Sequence, residues 1–152
     1  MIRTAVADNQ RVVELDPRTL RRIVRTVLAG EGVADAEVSL AFVEDKTIHR
    51  LNKRFLNHDE PTDVITFPLS APGDDTLSGE VVISTETADR VARALGHPVH
   101  AEVALYLIHG LLHLCGYDDL NAADRQRMRR REGHYLKRLG ISLRAAVDDR
   151  GG

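Results

Sequence analysis

His109 and His113 stand four residues apart in the run His109-Gly110-Leu111-Leu112-His113-Leu114-Cys115-Gly116-Tyr117-Asp118-Asp119. On a helix, positions i and i+4 lie one above the other, so the two imidazoles can grip one cation between them. Gly116 stands where that helix would stop, because glycine most easily takes the left-handed conformation after a last turn. A reversal there carries Asp118 or Asp119 back toward the imidazoles. Two histidines and a carboxylate, with a fourth position open for water, are the donor set of a catalytic zinc site. Each residue also has a plainer use. A histidine on an apolar helix can be hydrogen-bonded in a core, and an aspartate just ahead of a helix can be its N-cap, so spacing leaves Asp119 divided between ligand and cap. Zinc peptidases of the His-Glu-x-x-His kind carry a general base directly after the first histidine. Here that position is Gly110, which argues against peptide hydrolysis. Cys115 lies two residues from His113, on another face of the helix, and reads as buried filler rather than ligand or nucleophile.

That grip needs a scaffold. From Val99 to Leu114 the chain is apolar nearly all round, the pattern of a helix at the buried centre of its domain, and the two histidines interrupt it. Residues 2–7 read as a first strand. Asp16-Pro17 marks a helix start, with Leu20, Ile23, Val24, Val27 and Leu28 on one face and Gly30 closing it. Val38, Leu40 and Phe42 alternate with small residues in a strand at 37–43. Asp45 then caps a helix whose apolar side is Ile48, Leu51 and Phe55. After the polar run Asn57-His58-Asp59-Glu60-Pro61, the β-branched and aromatic residues of Thr62–Phe67 predict a strand that ends at Pro68. Pro72-Gly73-Asp74-Asp75 turns the chain into a strand at Gly79–Ser84, its hairpin partner. Ser84 or Thr85 caps a helix over Glu86–Leu95 that stops at Gly96. A last amphipathic helix at about 121–138 turns Ala123, Met128, Tyr135 and Leu136 inward and its arginines outward. Four strands and four or five helices in mixed order predict an α+β fold, a mixed and roughly four-stranded sheet packed with helices, the two-histidine helix central. No repeat or linker divides residues 1–152, which read as a single domain with a frayed tail over about 143–152.

A length of 152 residues suffices for one domain with its own core. At 43% hydrophobic and 29% charged, the composition excludes disorder and fibrous repeats. No stretch nears the about 18 uninterrupted apolar residues of a membrane span, and the amino terminus lacks the apolar run of a signal peptide. The single cysteine excludes an internal disulfide. These features point to the cytoplasm. A net charge of −2 gives no overall basic field, so a nucleic-acid surface has to be local. Two arginine clusters qualify, Arg18, Arg21, Arg22 and Arg25 early, then Arg125, Arg127, Arg129, Arg130 and Arg131 late; each also reads as a solvated helix face.

The run His109–Asp118 resembles the signature of the YbeY family of bacterial rRNA maturation endoribonucleases. Leu51-Asn52, Pro61-Thr62-Asp63-Val64-Ile65-Thr66-Phe67-Pro68 and Gly79-Glu80-Val81-Val82-Ile83-Ser84 resemble its other blocks, in the same order and at similar separations. The similarity covers about residues 35–138. The resemblance implies one zinc ion per chain, held by three side chains in a cleft between sheet and helices, with activity on ribosomal RNA ends and a role in ribosome quality control. His109 and His113 fall on the first two family ligands. The family has histidine where this chain has Asp119, so the third ligand becomes a carboxylate. Its charge lowers the Lewis acidity of the metal, and its harder oxygen shifts preference toward other divalent ions. A family arginine just before the Pro-Thr-Asp block, associated with RNA or the reaction centre, is replaced here by Leu56. Arg54, two residues earlier, is a candidate substitute, and His58, two residues later, is another.

Together these features predict a zinc-dependent endoribonuclease directed at single strands, acting in maturation of the small-subunit rRNA 3′ end and in ribosome quality control. Its partners would be ribosomal RNA and the ribosome or small-subunit proteins, with no membrane and no DNA. Its site residues would be His109, His113 and Asp119, acting through water at the metal, with Arg54 beside them; Thr62 and Asp63 would sit near the cleft. Leu56 and Asp119 together motivate an alternative, a ribosome-associated metal-binding protein with weak or lost nuclease activity. A second alternative is a metal hydrolase of another substrate, such as peptides.

Overall fold

The computed structural model describes residues 1–58, 60 and 62–143, so all but the first residue of the expected tail lies outside the described residues. In chain order the elements are β1 (Ile2–Asp8), α1 (Pro17–Gly30), β2 (Ala36–Val43), α2 (Asp45–Leu56), β3 (Val64–Pro68), β4 (Leu77–Ser84), α3 (Thr85–Leu95), α4 (Val99–Leu114) and α5 (Ala122–Leu139). The strands form one mixed sheet in the order β1-β2-β4-β3. β1 and β4 both run parallel to β2, while β3 pairs antiparallel with β4 as the predicted hairpin. This is the α+β fold expected, with five helices among the described residues. Among the described residues no helix is long and apolar enough to cross a membrane.

Alternation along the strands divides the apolar residues between two faces. Val38, Leu40 and Phe42 of β2 and Val81 and Ile83 of β4 join the main core with α1, α4 and α5. Val43, Ile65 and Val82 point the other way and are covered by Ile48 of α2. α4 packs against α1, α3, α5, β3 and β4, which explains its apolar circumference.

The seat of α4 on the sheet depends on glycine. A Cβ at Gly110 would stand 2.6 Å from Val81 Cγ1 and 3.2 Å from Thr66 Cγ2, and one at Gly79 would stand 2.6 Å from Leu114 Cδ2. Gly110→Ala is therefore expected to push helix and sheet apart and to lower stability by about 1–3 kcal/mol, as overpacked cores do. Urea unfolding at constant m-value measures it; a wild-type midpoint would show that the spacing adjusts freely.

Among the local expectations, α1 does end at Gly30, but not through a left-handed backbone there; positive φ comes at Gly32, at 82°. Gly30 instead makes room for Tyr135, whose Cε1 lies 2.7 Å from where a Cβ would stand. Asp45 does not cap α2 either; the cap position is Glu44. The Asp45 carboxylate reaches across to α3, accepting from Ser84 Oγ at 2.5 Å, Thr87 Oγ1 at 2.8 Å and Arg90 Nη1 at 2.6 Å.

Burial alone would raise the Asp45 pKa, but these donors and the Arg90 charge outweigh it and hold the carboxyl below its ordinary value of 3.8. A depressed folded-state pKa contributes stability that is fully present above the ordinary value and is lost as pH falls through the folded one. Asp45→Asn is thus expected to cost about 1–3 kcal/mol at neutral pH. The deficit should shrink as pH drops below 3.8. Urea midpoints at several pH values check this, and a deficit constant with pH would exclude a role for the charge.

Candidate metal centre

α4 ends as its sequence predicts. Gly116 takes a φ of 102°, the Gly116 N–H donates to the His113 carbonyl at 3.0 Å, and the Tyr117 N–H donates to that of Leu112 at 3.0 Å. This pair of bonds is a Schellman motif, which reverses the chain. The reversal returns Asp119, not Asp118, to the histidines. His109 Nε2 lies 3.0 Å from His113 Nε2, and Asp119 Oδ2 lies 3.5 Å from each. The N-cap of α5 is Asn121, whose Oδ1 accepts the Asp124 N–H at 2.8 Å. Asp119 is thereby relieved of the capping role.

The donor triangle fits a metal ion. In a tetrahedral site with bonds of about 2.0–2.1 Å, ligand atoms sit about 3.3 Å apart. The three separations here, 3.0, 3.5 and 3.5 Å, match one face of such a tetrahedron. The side chains of His109, His113 and Asp119 are 24, 22 and 40% exposed, so solvent and substrate can reach them.

The other ring nitrogen of His109 is also engaged. Its Nδ1 lies 2.5 Å from Glu132 Oε2 on α5. A carboxylate only accepts, so Nδ1 carries the proton and Nε2 turns its lone pair toward the centre. Burial opposes charge on His109, but the hydrogen bond and charge of Glu132, with Asp63 and Asp119 behind them, prevail and raise its pKa. No motif singles out Glu132. The signal in the sequence is its place on the inward face of α5 with Met128, Tyr135 and Leu136, where a buried acid needs a partner.

The centre opens into a cleft of about 380 Å³, whose lining includes Asp63, Glu102, Arg125 and Arg129 as well as His109 and Asp119. Arg54 and His58 are not among the described lining residues. The Arg54 guanidinium lies 5.3 Å from the centroid of the Phe55 ring, and Phe55 packs edge-on against Phe67. Leu56, at the end of α2, is exposed. Asp63 both lines the cleft and caps the start of β3, its Oδ1 accepting the Val64 N–H at 2.8 Å and the Thr62 hydroxyl at 3.3 Å. Burial and the charge of Glu31 push the Cys115 thiol up to about 11, in keeping with filler rather than ligand. Nor do all the arginines of α5 point outward. Arg131 Nε donates to Glu31 Oε2 at 2.7 Å and its Nη2 to the Tyr135 hydroxyl at 3.1 Å, tying α5 to the end of α1.

Fold and site thus define an α+β protein whose central helix and its returning turn present three donors able to hold one metal ion. The family model described as Endoribonuclease YbeY matches residues 5–140, more of the chain than the motif blocks alone, and the chain belongs to that family. It is 42% identical over 130 residues to the endoribonuclease YbeY of Pelotomaculum thermopropionicum, covering 81% of this chain and 86% of that one. It is 46% identical over 125 residues to the corresponding protein of an Anaeromyxobacter species, of which it spans 65% of the length. Among solved structures it resembles TM1509 from Thermotoga maritima, with a TM-score of 0.64 and 26% identity across 91% of this chain and 89% of the other.

Proposed function

We propose that this chain folds as a single domain and acts as a zinc-dependent endoribonuclease on single-stranded ribosomal RNA, in maturation of the small-subunit 3′ end and in ribosome quality control. The observation that carries this reading is the triangle of His109, His113 and Asp119, with the tautomer of His109 set by Glu132, at the edge of an open cleft. His109, His113 and Asp119 would hold the ion, which when bound supplies Lewis acidity toward water and a phosphoryl oxygen. The chain's own groups orient and exchange protons around it. Glu132 keeps the proton on Nδ1 of His109. Asp63, a cleft carboxylate outside the donor set whose charge acts on His109, is the candidate general base. Glu102 is committed to His97, 2.5 Å away.

Peptide hydrolysis is not favoured, because Val81 and Thr66 leave no room at position 110 for the glutamate such chemistry uses. A purely binding role at the ribosome loses part of its motive too, since Asp119 completes the triangle rather than breaking it. The cytoplasm, with the ribosome or small-subunit proteins as partners, is the setting this reading entails. The test is incubation of purified protein with a single-stranded fragment of the small-subunit rRNA 3′ end. Cleavage should stop on chelation and return with added zinc; cleavage indifferent to chelation, or none with loaded protein, overturns the proposal.

A further inference from the structure

The described lining of the cleft carries four carboxylates, Asp63, Glu102, Asp119 and Glu132, a poor surface for a polyanion unless cations offset them. The arginines of its described lining are Arg125 and Arg129. Both lie on α5, four residues apart, on the face that also turns Met128 and Glu132 inward. Arg127 and Arg130 project from the opposite side of that helix, and Arg131 is not among the described lining residues. One helical turn spaces Arg125 and Arg129 by about 6 Å along the axis, a step suited to successive phosphates of an extended strand. Arginine is also the side chain whose planar fork best matches phosphate oxygens.

We infer that Arg125 and Arg129 form a phosphate-binding pair that holds the RNA backbone beside the centre and so sets which phosphodiester is presented to it. Arg54, stacked on Phe55 outside the lining, has no part in this. The inference rests on the endoribonuclease reading and deepens it, and binding measured apart from cleavage separates the two.

The experiment titrates a labelled single-stranded RNA into zinc-loaded wild type, Arg125→Ala/Arg129→Ala and Arg127→Ala/Arg130→Ala at several salt concentrations. The last variant removes the same charge from the opposite face. Loss of two phosphate contacts should weaken binding about tenfold or more and flatten the plot of log affinity against log salt by about 1.4, at about 0.7 per contact for single strands. KM should rise far more than kcat falls, with zinc content and thermal midpoint unchanged. Arg125→Lys/Arg129→Lys should recover the salt slope, since each lysine restores one charge, and it keeps the test available if the alanine pair folds poorly. A deficit no larger than that of the opposite-face variant, with wild type binding and cleaving RNA, overturns the arginine pair alone. A wild type that binds no RNA overturns both it and the endoribonuclease reading.

Discussion

Replacing His113 by alanine is expected to abolish zinc binding and RNA cleavage together while leaving the fold intact. His113 occupies the last turn of α4 with its side chain 22% exposed, and its ring meets His109, 4.6 Å away between centroids, and Asp119. Its removal leaves two donors where a catalytic site needs three, so bound zinc should fall from about one ion per chain to a small fraction of that. Losing the Lewis acid forfeits several kcal/mol of transition-state stabilisation, a fall of about 10³-fold or more in kcat/KM. Unfolding in the presence of chelator should match that of wild type. Full zinc content in His113→Ala would refute the donor set, and undiminished cleavage by a zinc-free variant would refute the mechanism. Asp119→Ala should lose the metal likewise, and without loss of helix stability, because Asn121 and not Asp119 caps α5.

The second large effect belongs to Glu132, which meets His109 Nδ1 from α5 and is expected to act through that ring. Glu132→Gln keeps the volume of the side chain but removes the anion facing the Nδ1 proton. An amide presents a donor as readily as an acceptor, so the imidazole is no longer held to the tautomer that aims Nε2 at the centre. Loss of such a supporting partner typically weakens metal affinity about 10–100-fold. Competition with a chromophoric chelator reads this directly, whereas a purely structural role for Glu132 would move the unfolding midpoint and leave zinc affinity within about twofold of wild type.

Much of this site is legible in the sequence, and the legible part is local. His109 and His113 share a face because four residues slightly overshoot one helical turn, and Gly116 reverses the chain because glycine pays no steric penalty in the left-handed region. The caps Asp16 and Ser84 and the β3–β4 hairpin follow from the same short-range rules. Asp119 stays divided between ligand and cap in the sequence because an aspartate can serve either use; the structure gives the cap of α5 to Asn121.

Short-range sequence rules therefore specify the set of elements, the two histidines on one helix face and the turn that returns an acid to them. Tertiary packing alone decided which acid arrives, that Glu132, 23 residues from His109, holds its ring, and that Asp45 braces α3 instead of capping α2. It likewise assigned Gly30 to Tyr135 and Gly110 to Val81, and brought Arg125 and Arg129, not Arg54, to the cleft. The reason is physical. Helical period, capping and turn chemistry act within about four residues and are written in neighbouring side chains, whereas contacts between elements depend on how helices seat against a sheet, which no short window of sequence contains.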